Sequence, residues 1–124
     1  MSEVLPDIVV LDRPIERAEL DRLVGAHFTG MVKLVADLRR RLVALGGELH
    51  ADAEALLLEQ GSRQEDLWGA NYYPGRGEEG CIEFTSLINI RPSDGNRGML
   101  IEEGGIRDAV RSIVHQLVGR GEEH

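Results

Sequence analysis

The run from Asn89 to Gly98 carries a dense set of hydrogen-bonding side chains directly after an apolar stretch. Two arginines, one aspartate, two asparagines and two glycines fall within it. Guanidinium groups bind phosphates and carboxylates through paired hydrogen bonds, and glycines allow backbone amides to point at an anion. We therefore predict a loop that binds an anionic small molecule, with the candidate ligands Arg91, Ser93, Asp94, Asn96 and Arg97.

The spacing within this run excludes two known loop types. Asp94 and Asn96 resemble the start of a calcium-binding EF-hand loop, but Met99 stands where that loop needs glycine and Gly105 where it needs glutamate. No lysine follows the glycines, which excludes a nucleotide-binding P-loop. The alternative to an anion site is an Asx-turn loop whose arginines pair internally with nearby carboxylates, and the residues leave both interpretations open.

A second group of chemically capable residues comprises His50, Asp52 and Glu54, with Asp66 further along the chain. On a strand the first three project to one face, whereas on a helix only His50 and Glu54 do. One imidazole with one or two carboxylates could hold a divalent cation or move a proton. The alternative is a helix start whose acidic residues complement the helix dipole. No cofactor is otherwise evident.

Nucleophilic catalysis has no recognisable motif in this chain. None of the serines lies in a G-x-S-x-G elbow, and His27 and His115 fall on apolar helix faces. The single cysteine, Cys81, can form neither an intrachain disulfide nor a cysteine-based zinc site, and we expect it to be a packing residue. Whether the protein is an enzyme stays open at this level.

Length, composition and charge bound the remaining classes. A chain of 124 residues with 42% hydrophobic residues predicts a single globular domain over 1–124, with a flexible tail at 119–124. A formal net charge of −8 argues against nucleic acid as a partner, although Arg39, Arg40 and Arg41 form a local basic turn. No apolar stretch reaches the roughly 18 residues of a membrane span, and no signal peptide is recognisable, so we expect a cytoplasmic protein without a membrane partner.

Hydrophobic periodicity predicts the elements that must position these residues. We predict strands at 8–11, 70–73 and 82–90, helices at 16–28, 51–60 and 106–118, and a short capped turn at 62–68. Residues 31–45 fit both a helical stripe and an alternating strand, so periodicity leaves a helix and a β-hairpin open. The one-sided stripes predict an α+β domain with a mostly antiparallel sheet of about five strands covered by three helices.

Three segments carry a resemblance to a known family: GGELHADAE at 46–54, QEDLWG at 64–69, and INIRPS at 88–93 with GNR at 95–97. The chain resembles, over nearly its whole length, an uncharacterised prokaryotic family catalogued as domain of unknown function 5674. The resemblance supplies no activity or site residue. It implies a β-hairpin at 31–45, because related sequences look more β-branched there and carry a central glycine. Arg39, Arg40 and Arg41 depart from that pattern, yet we choose the hairpin.

The functional expectation is a small cytoplasmic ligand-binding domain. An anionic small molecule or a metal-held anion would rest between the segment 50–54 and the loop 91–97, with Asp66 as a further wall. The alternative is a protein-interaction module or homodimer in which the same polar residues form an internal network.

Overall fold

The computed structural model describes residues 7–122, which form a five-stranded antiparallel sheet with helices on both faces. The strands are β1 (Ile8–Leu11), β2 (Val32–Asp37), β3 (Leu42–Gly46), β4 (Leu67–Tyr72) and β5 (Ile82–Glu83), and the helices are α1 (Arg17–His27), α2 (His50–Glu59), the single turn α3 (Gly77–Gly80) and α4 (Gly104–Leu117). The spatial order is β1-β3-β2-β4-β5. The predicted α+β class, with about five mostly antiparallel strands, is confirmed.

The segment that the sequence left ambiguous is the central hairpin of the sheet, formed by β2 and β3. Its three arginines occupy the connecting turn, where Asp37 accepts hydrogen bonds from the backbone amides of Arg39 and Arg40, both at 2.9 Å. Arg41 adopts a left-handed conformation with φ of 53°. The apolar side chains of both strands are buried on both faces, so no polar alternation marks them as strands.

Two apolar layers hold the helices onto the sheet. On one face α1 and α4 pack through residues such as Leu23 and Val114 against inward-facing β2 and β3 side chains, among them Leu34 and Val43. On the other face α2 packs through Ala53 and Leu57 onto a smaller cluster that includes Val35 and Leu67. We call this second side of the sheet the α2 face. No helix within residues 7–122 is long and apolar enough to cross a membrane.

The predicted strand at 82–90 is wrong beyond Glu83. Residues 84–102 instead form an irregular loop with helical turns at Leu87–Asn89 and Pro92–Asp94. Isolated bridges between Thr85 and Leu100, and between Arg91 and Asn96, close this loop on itself. The alternation of apolar and polar residues predicted the wrong structure here, because Asn89 points inward and is fully buried, whereas the apolar side chain of Ile90 is exposed.

The short capped turn predicted at 62–68, with Ser62 as its cap, is also wrong. The Ser62 hydroxyl donates to Asp37 Oδ2 at 2.6 Å, so it supports the β2–β3 turn instead of capping a helix. Only Gln64–Asp66 form a helical turn, and Leu67 and Trp68 already belong to β4.

The end of the chain is held in place as far as it is described. The amides of Gly75 and Gly77 donate to the carbonyl of Gly121, whose own amide donates to the Tyr72 hydroxyl at 2.9 Å. These contacts tie residues 119–122 to the loop after β4, and the flexibility of the tail at 119–124 stays a prediction. Residues 123–124 lie outside the described chain.

Candidate functional site

Arg91, the first predicted anion ligand, makes hydrogen bonds and a ring contact within the protein. Its guanidinium donates to the carbonyl of Gln64 at 2.6 Å and to the carbonyl of Leu67 at 2.5 Å. It also stacks over the Trp68 ring, with 3.8 Å between the guanidinium carbon and the ring centroid. Burial lowers the pKa of Arg91, an effect that the negative charges of Asp94 and Glu54 oppose. The guanidinium thus joins the loop to the start of β4.

Two asparagines of the same run form hydrogen bonds with backbone groups of neighbouring segments. Asn89 accepts from the Gly69 amide at 2.8 Å and donates to the Gly69 carbonyl at 2.9 Å and to the Met99 carbonyl at 3.0 Å. Asn96 donates to the carbonyl of Asn89 at 2.8 Å and accepts from the Glu102 amide at 2.8 Å. Asn96 therefore completes the hydrogen bonding inside the loop.

The other three candidates of the run lie on the outside of the loop. Ser93, Asp94 and Arg97 are exposed, and the Arg97 amide donates to Glu102 Oε2 at 2.9 Å. Of the five predicted anion ligands, Asp94 and Asn96 line one pocket of about 320 Å³, and the other three are not part of its lining. Arg91 is half-buried under the loop, Asn96 is buried inside it, and Ser93, Asp94 and Arg97 are exposed.

The second predicted group is brought together only in part, because His50 and Glu54 lie one turn apart on α2 whereas Asp66 lies outside this helix. His50 is the first residue of α2 and is 8% exposed, whereas Asp52 on the next part of the turn is exposed. Asp66 forms an ion pair with Arg39 across 3.2 Å, and Glu54 lies near enough to influence Arg91. In the described part of the chain no group of three or more histidine, cysteine or acidic side chains could hold a metal ion.

A cleft of about 420 Å³ opens elsewhere on the α2 face, where β4 and β5 meet the start of α2. Its polar lining comes chiefly from Lys33 on β2, His50 on α2, Asn71 on β4 and Glu83 on β5, and its apolar walls come from Leu49, Leu87, Ile88 and Met99. We call it the edge cleft. The loop 84–102 forms one of its walls, so the hydrogen bonds of Asn89 and Asn96 shape it indirectly.

The floor of the edge cleft is a row of three polar residues on adjacent strands. Lys33 pairs with Asn71 in the register of β2 and β4, and Asn71 pairs with Glu83 in the register of β4 and β5. Directly paired residues project to the same side of a sheet. The Asn71 amide nitrogen donates to Glu83 Oε1 at 2.8 Å, and the Tyr73 hydroxyl donates to the same oxygen at 3.0 Å.

His50 contributes a neutral imidazole to this cleft. Burial lowers the pKa of His50, and the charge of Lys33 adds to the effect. Its Nε2 lies 2.8 Å from the carbonyl oxygen of Ala70. Because a carbonyl can only accept, Nε2 carries the proton and Nδ1 remains an acceptor. Lys33 is then the one cation among the described residues that line the cleft.

One atom of the floor is unsatisfied. The Oδ1 atom of Asn71 is buried and has no hydrogen-bond partner within residues 7–122. The Asn71 carboxamide also lies beside the His50 imidazole. This contact raises the pKa of His50, but the lowering by burial is larger. A buried acceptor without a partner destabilises a protein by roughly 1–3 kcal/mol. A ligand that donates a hydrogen bond to this atom would recover part of that free energy.

Comparison with known proteins finds one family whose model matches most of the chain, including the edge cleft. A family model described as "Protein of unknown function (DUF5674)" matches residues 9–117. The chain belongs to this family. The match covers every residue that lines the edge cleft. No curated protein and no solved structure matches the chain.

Within this DUF5674 chain, sequence reasoning missed three of the four polar cleft residues. Lys33, Asn71 and Glu83 come from three strands, and only the strand register brings them together. One signal was available, because Lys33 and Asn71 are polar residues within otherwise apolar strand segments. Polar groups at such positions need a partner or a purpose.

Proposed function

We propose that the edge cleft binds a small amphipathic molecule that carries an anionic group. The observation that carries this proposal is the convergence of Lys33, His50, Asn71 and Glu83 on one apolar-walled cleft. The anion would pair with the Lys33 ammonium, and the apolar body would lie against Leu49, Leu87 and Met99. Ligand sites are commonly apolar concavities with a few convergent polar groups.

Size and charge support this assignment. The volume of about 420 Å³ lies within the range of roughly 300–1,000 Å³ that is typical of small-molecule sites. Lys33, whose ammonium lies 5.0 Å from the centroid of the Phe28 ring, is the cation that would orient the anion, because burial lowers the pKa of the neighbouring His50 and favours its neutral form. We also propose that the protein works in the cytoplasm, where the buried thiol of Cys81 stays reduced.

The proposal keeps the expected ligand-binding role but moves the site from the loop 91–97 to the edge cleft. The two locations can be separated by isothermal titration calorimetry with 3-phenylpropanoate, using wild type, Lys33→Gln and Arg97→Gln. Arg97 is the matched control, because it is an exposed cation in the loop that the sequence favoured. Parallel titrations with calcium and zinc chloride test whether the protein binds a divalent cation, which the group of His50, Asp52 and Glu54 could hold.

Loss of a charge-assisted contact costs about 1.5–3 kcal/mol, so we expect the Lys33 variant to bind 3-phenylpropanoate at least about tenfold more weakly. The Arg97 variant should bind like wild type. If Arg97→Gln abolishes binding and Lys33→Gln does not, the anion site lies in the loop and the proposed location is wrong.

A second candidate function is homodimerisation through the apolar rim of the same cleft. Leu49 and Leu87, which line the cleft, and Leu100, which forms a bridge with the lining residue Thr85, are 55%, 71% and 52% exposed, and such exposed apolar side chains can mark an interface. A second copy of the chain could cover them. Light scattering after size exclusion should then give a dimer mass for wild type and a monomer mass for Leu100→Ser, whereas a wild-type monomer at micromolar concentration argues against this candidate.

A further inference from the structure

The charge pattern on the cleft floor says more about the ligand than that it is anionic, and this inference rests on the proposed function. Lys33 and Glu83 flank Asn71 on neighbouring strands, so one cation and one anion face the same cleft. Two strand spacings of about 4.8 Å separate their backbones by roughly 9.6 Å. No ion pair joins the two side chains within the described residues.

The Glu83 end of the row presents hydrogen-bond acceptors to the cleft, and a ligand with N–H donors would complement them. Both hydrogen bonds to the Glu83 carboxylate, from Asn71 and Tyr73, go to Oε1. The adjacent Asn71 Oδ1 is unpartnered in the part of the chain that is described. Burial raises the pKa of Tyr73, which keeps its hydroxyl protonated and donating. An ammonium group would supply the missing donors here.

We propose that the ligand is a zwitterion, an α-amino acid with a large apolar side chain. Its ammonium group contacts Glu83 and Asn71, its carboxylate contacts Lys33, and its side chain packs against Leu87 and Met99. Lys33 and Glu83 both carry long side chains, so their charged ends can each close on one of two adjacent charged groups of a ligand through a hydrogen bond of about 2.8 Å. A ligand without the ammonium leaves Glu83 and the Asn71 oxygen unmatched.

Three compounds with one skeleton test this assignment by calorimetry at pH 7. Phenylalanine carries both charged groups, 3-phenylpropanoate lacks the ammonium, and 2-phenylethylamine lacks the carboxylate. We expect phenylalanine to bind at least about tenfold more tightly than either of the others. Glu83→Gln should reduce phenylalanine affinity to that of 3-phenylpropanoate, and Glu79→Gln, an exposed carboxylate outside the cleft, should change nothing. Glu83 is itself exposed, so its variant is expected to fold, which a thermal melt checks.

The failures separate the two proposals. If 3-phenylpropanoate binds as tightly as phenylalanine and Glu83→Gln changes neither, the zwitterion is wrong and the anion site stands. If 2-phenylethylamine alone binds, the cleft is a cation site and both proposals fall. If none of the three compounds binds, both proposals also fall for ligands of this size.

Discussion

Replacing Asn89 by alanine is expected to destabilise the protein through the loop 84–102, which forms one wall of the edge cleft. The Asn89 carboxamide is fully buried. It forms hydrogen bonds with both the amide and the carbonyl of Gly69 in β4, as a neighbouring strand would do. Its third bond, to the Met99 carbonyl at 3.0 Å, joins the turn Leu87–Asn89 to the later part of the loop 84–102.

The magnitude follows from those three bonds. Each intramolecular hydrogen bond contributes about 1 kcal/mol, and the orphaned Gly69 groups lie in a buried strand where water replaces them poorly. We expect Asn89→Ala to lower the free energy of unfolding by about 3 kcal/mol. For a domain of this length that corresponds to a fall of roughly 10 °C in melting temperature.

Urea unfolding followed by fluorescence measures this change, because the chain has a single tryptophan, Trp68, next to Gly69. Ser93→Ala is the matched control, since Ser93 is exposed in the same loop and its variant should lie within about 0.5 kcal/mol of wild type. A loss below about 1 kcal/mol for Asn89→Ala, or an equal loss for both variants, would refute the role given to the carboxamide.

Three further predictions concern other parts of the molecule. Because burial lowers the pKa of His50, the unfolded chain takes up this proton first as the pH falls below about 6.5. Stability should therefore decline towards pH 5 by at most about 1.4 kcal/mol per pH unit, and denaturant titrations should show a smaller slope for His50→Gln. Burial raises the pKa of Cys81, so Ellman's reagent at pH 8 should react only after unfolding, and rapid labelling of native protein would contradict the packing. Gly121→Ala should cost about 1–3 kcal/mol in a thermal melt, because an added Cβ overlaps the Gly77 carbonyl oxygen, whereas Gly98→Ala, with open space around it, should be neutral.

Elements with one apolar face were predictable from the sequence. The predicted helix at 16–28 corresponds to Arg17–His27, and the predicted helix at 106–118 to Gly104–Leu117, because each buries a single stripe against the sheet. The hairpin of β2 and β3 was not decidable from periodicity, since both faces of its strands are covered. There the resemblance to the family decided correctly.

The loop 84–102 and the site resisted prediction for a different reason. Asn89 satisfies Gly69, twenty positions earlier in the chain, and that pairing turns an apparent strand residue into a loop anchor. The edge cleft likewise depends on the register that aligns Lys33, Asn71 and Glu83. A dense polar run attracted attention to residues 89–98, but several of its side chains complete the hydrogen bonding of the loop itself.

The most direct test of the central claim is a titration of ¹⁵N-labelled protein with 3-phenylpropanoate, followed by amide chemical shifts. Ligand binding in the edge cleft should move the amides of Lys33, His50, Asn71 and Glu83 together along one saturable curve. The amides of Ser93 and Arg97 should stay unchanged. Shifts confined to residues 91–97, or no saturable shift at any amide, would contradict a ligand site in the edge cleft.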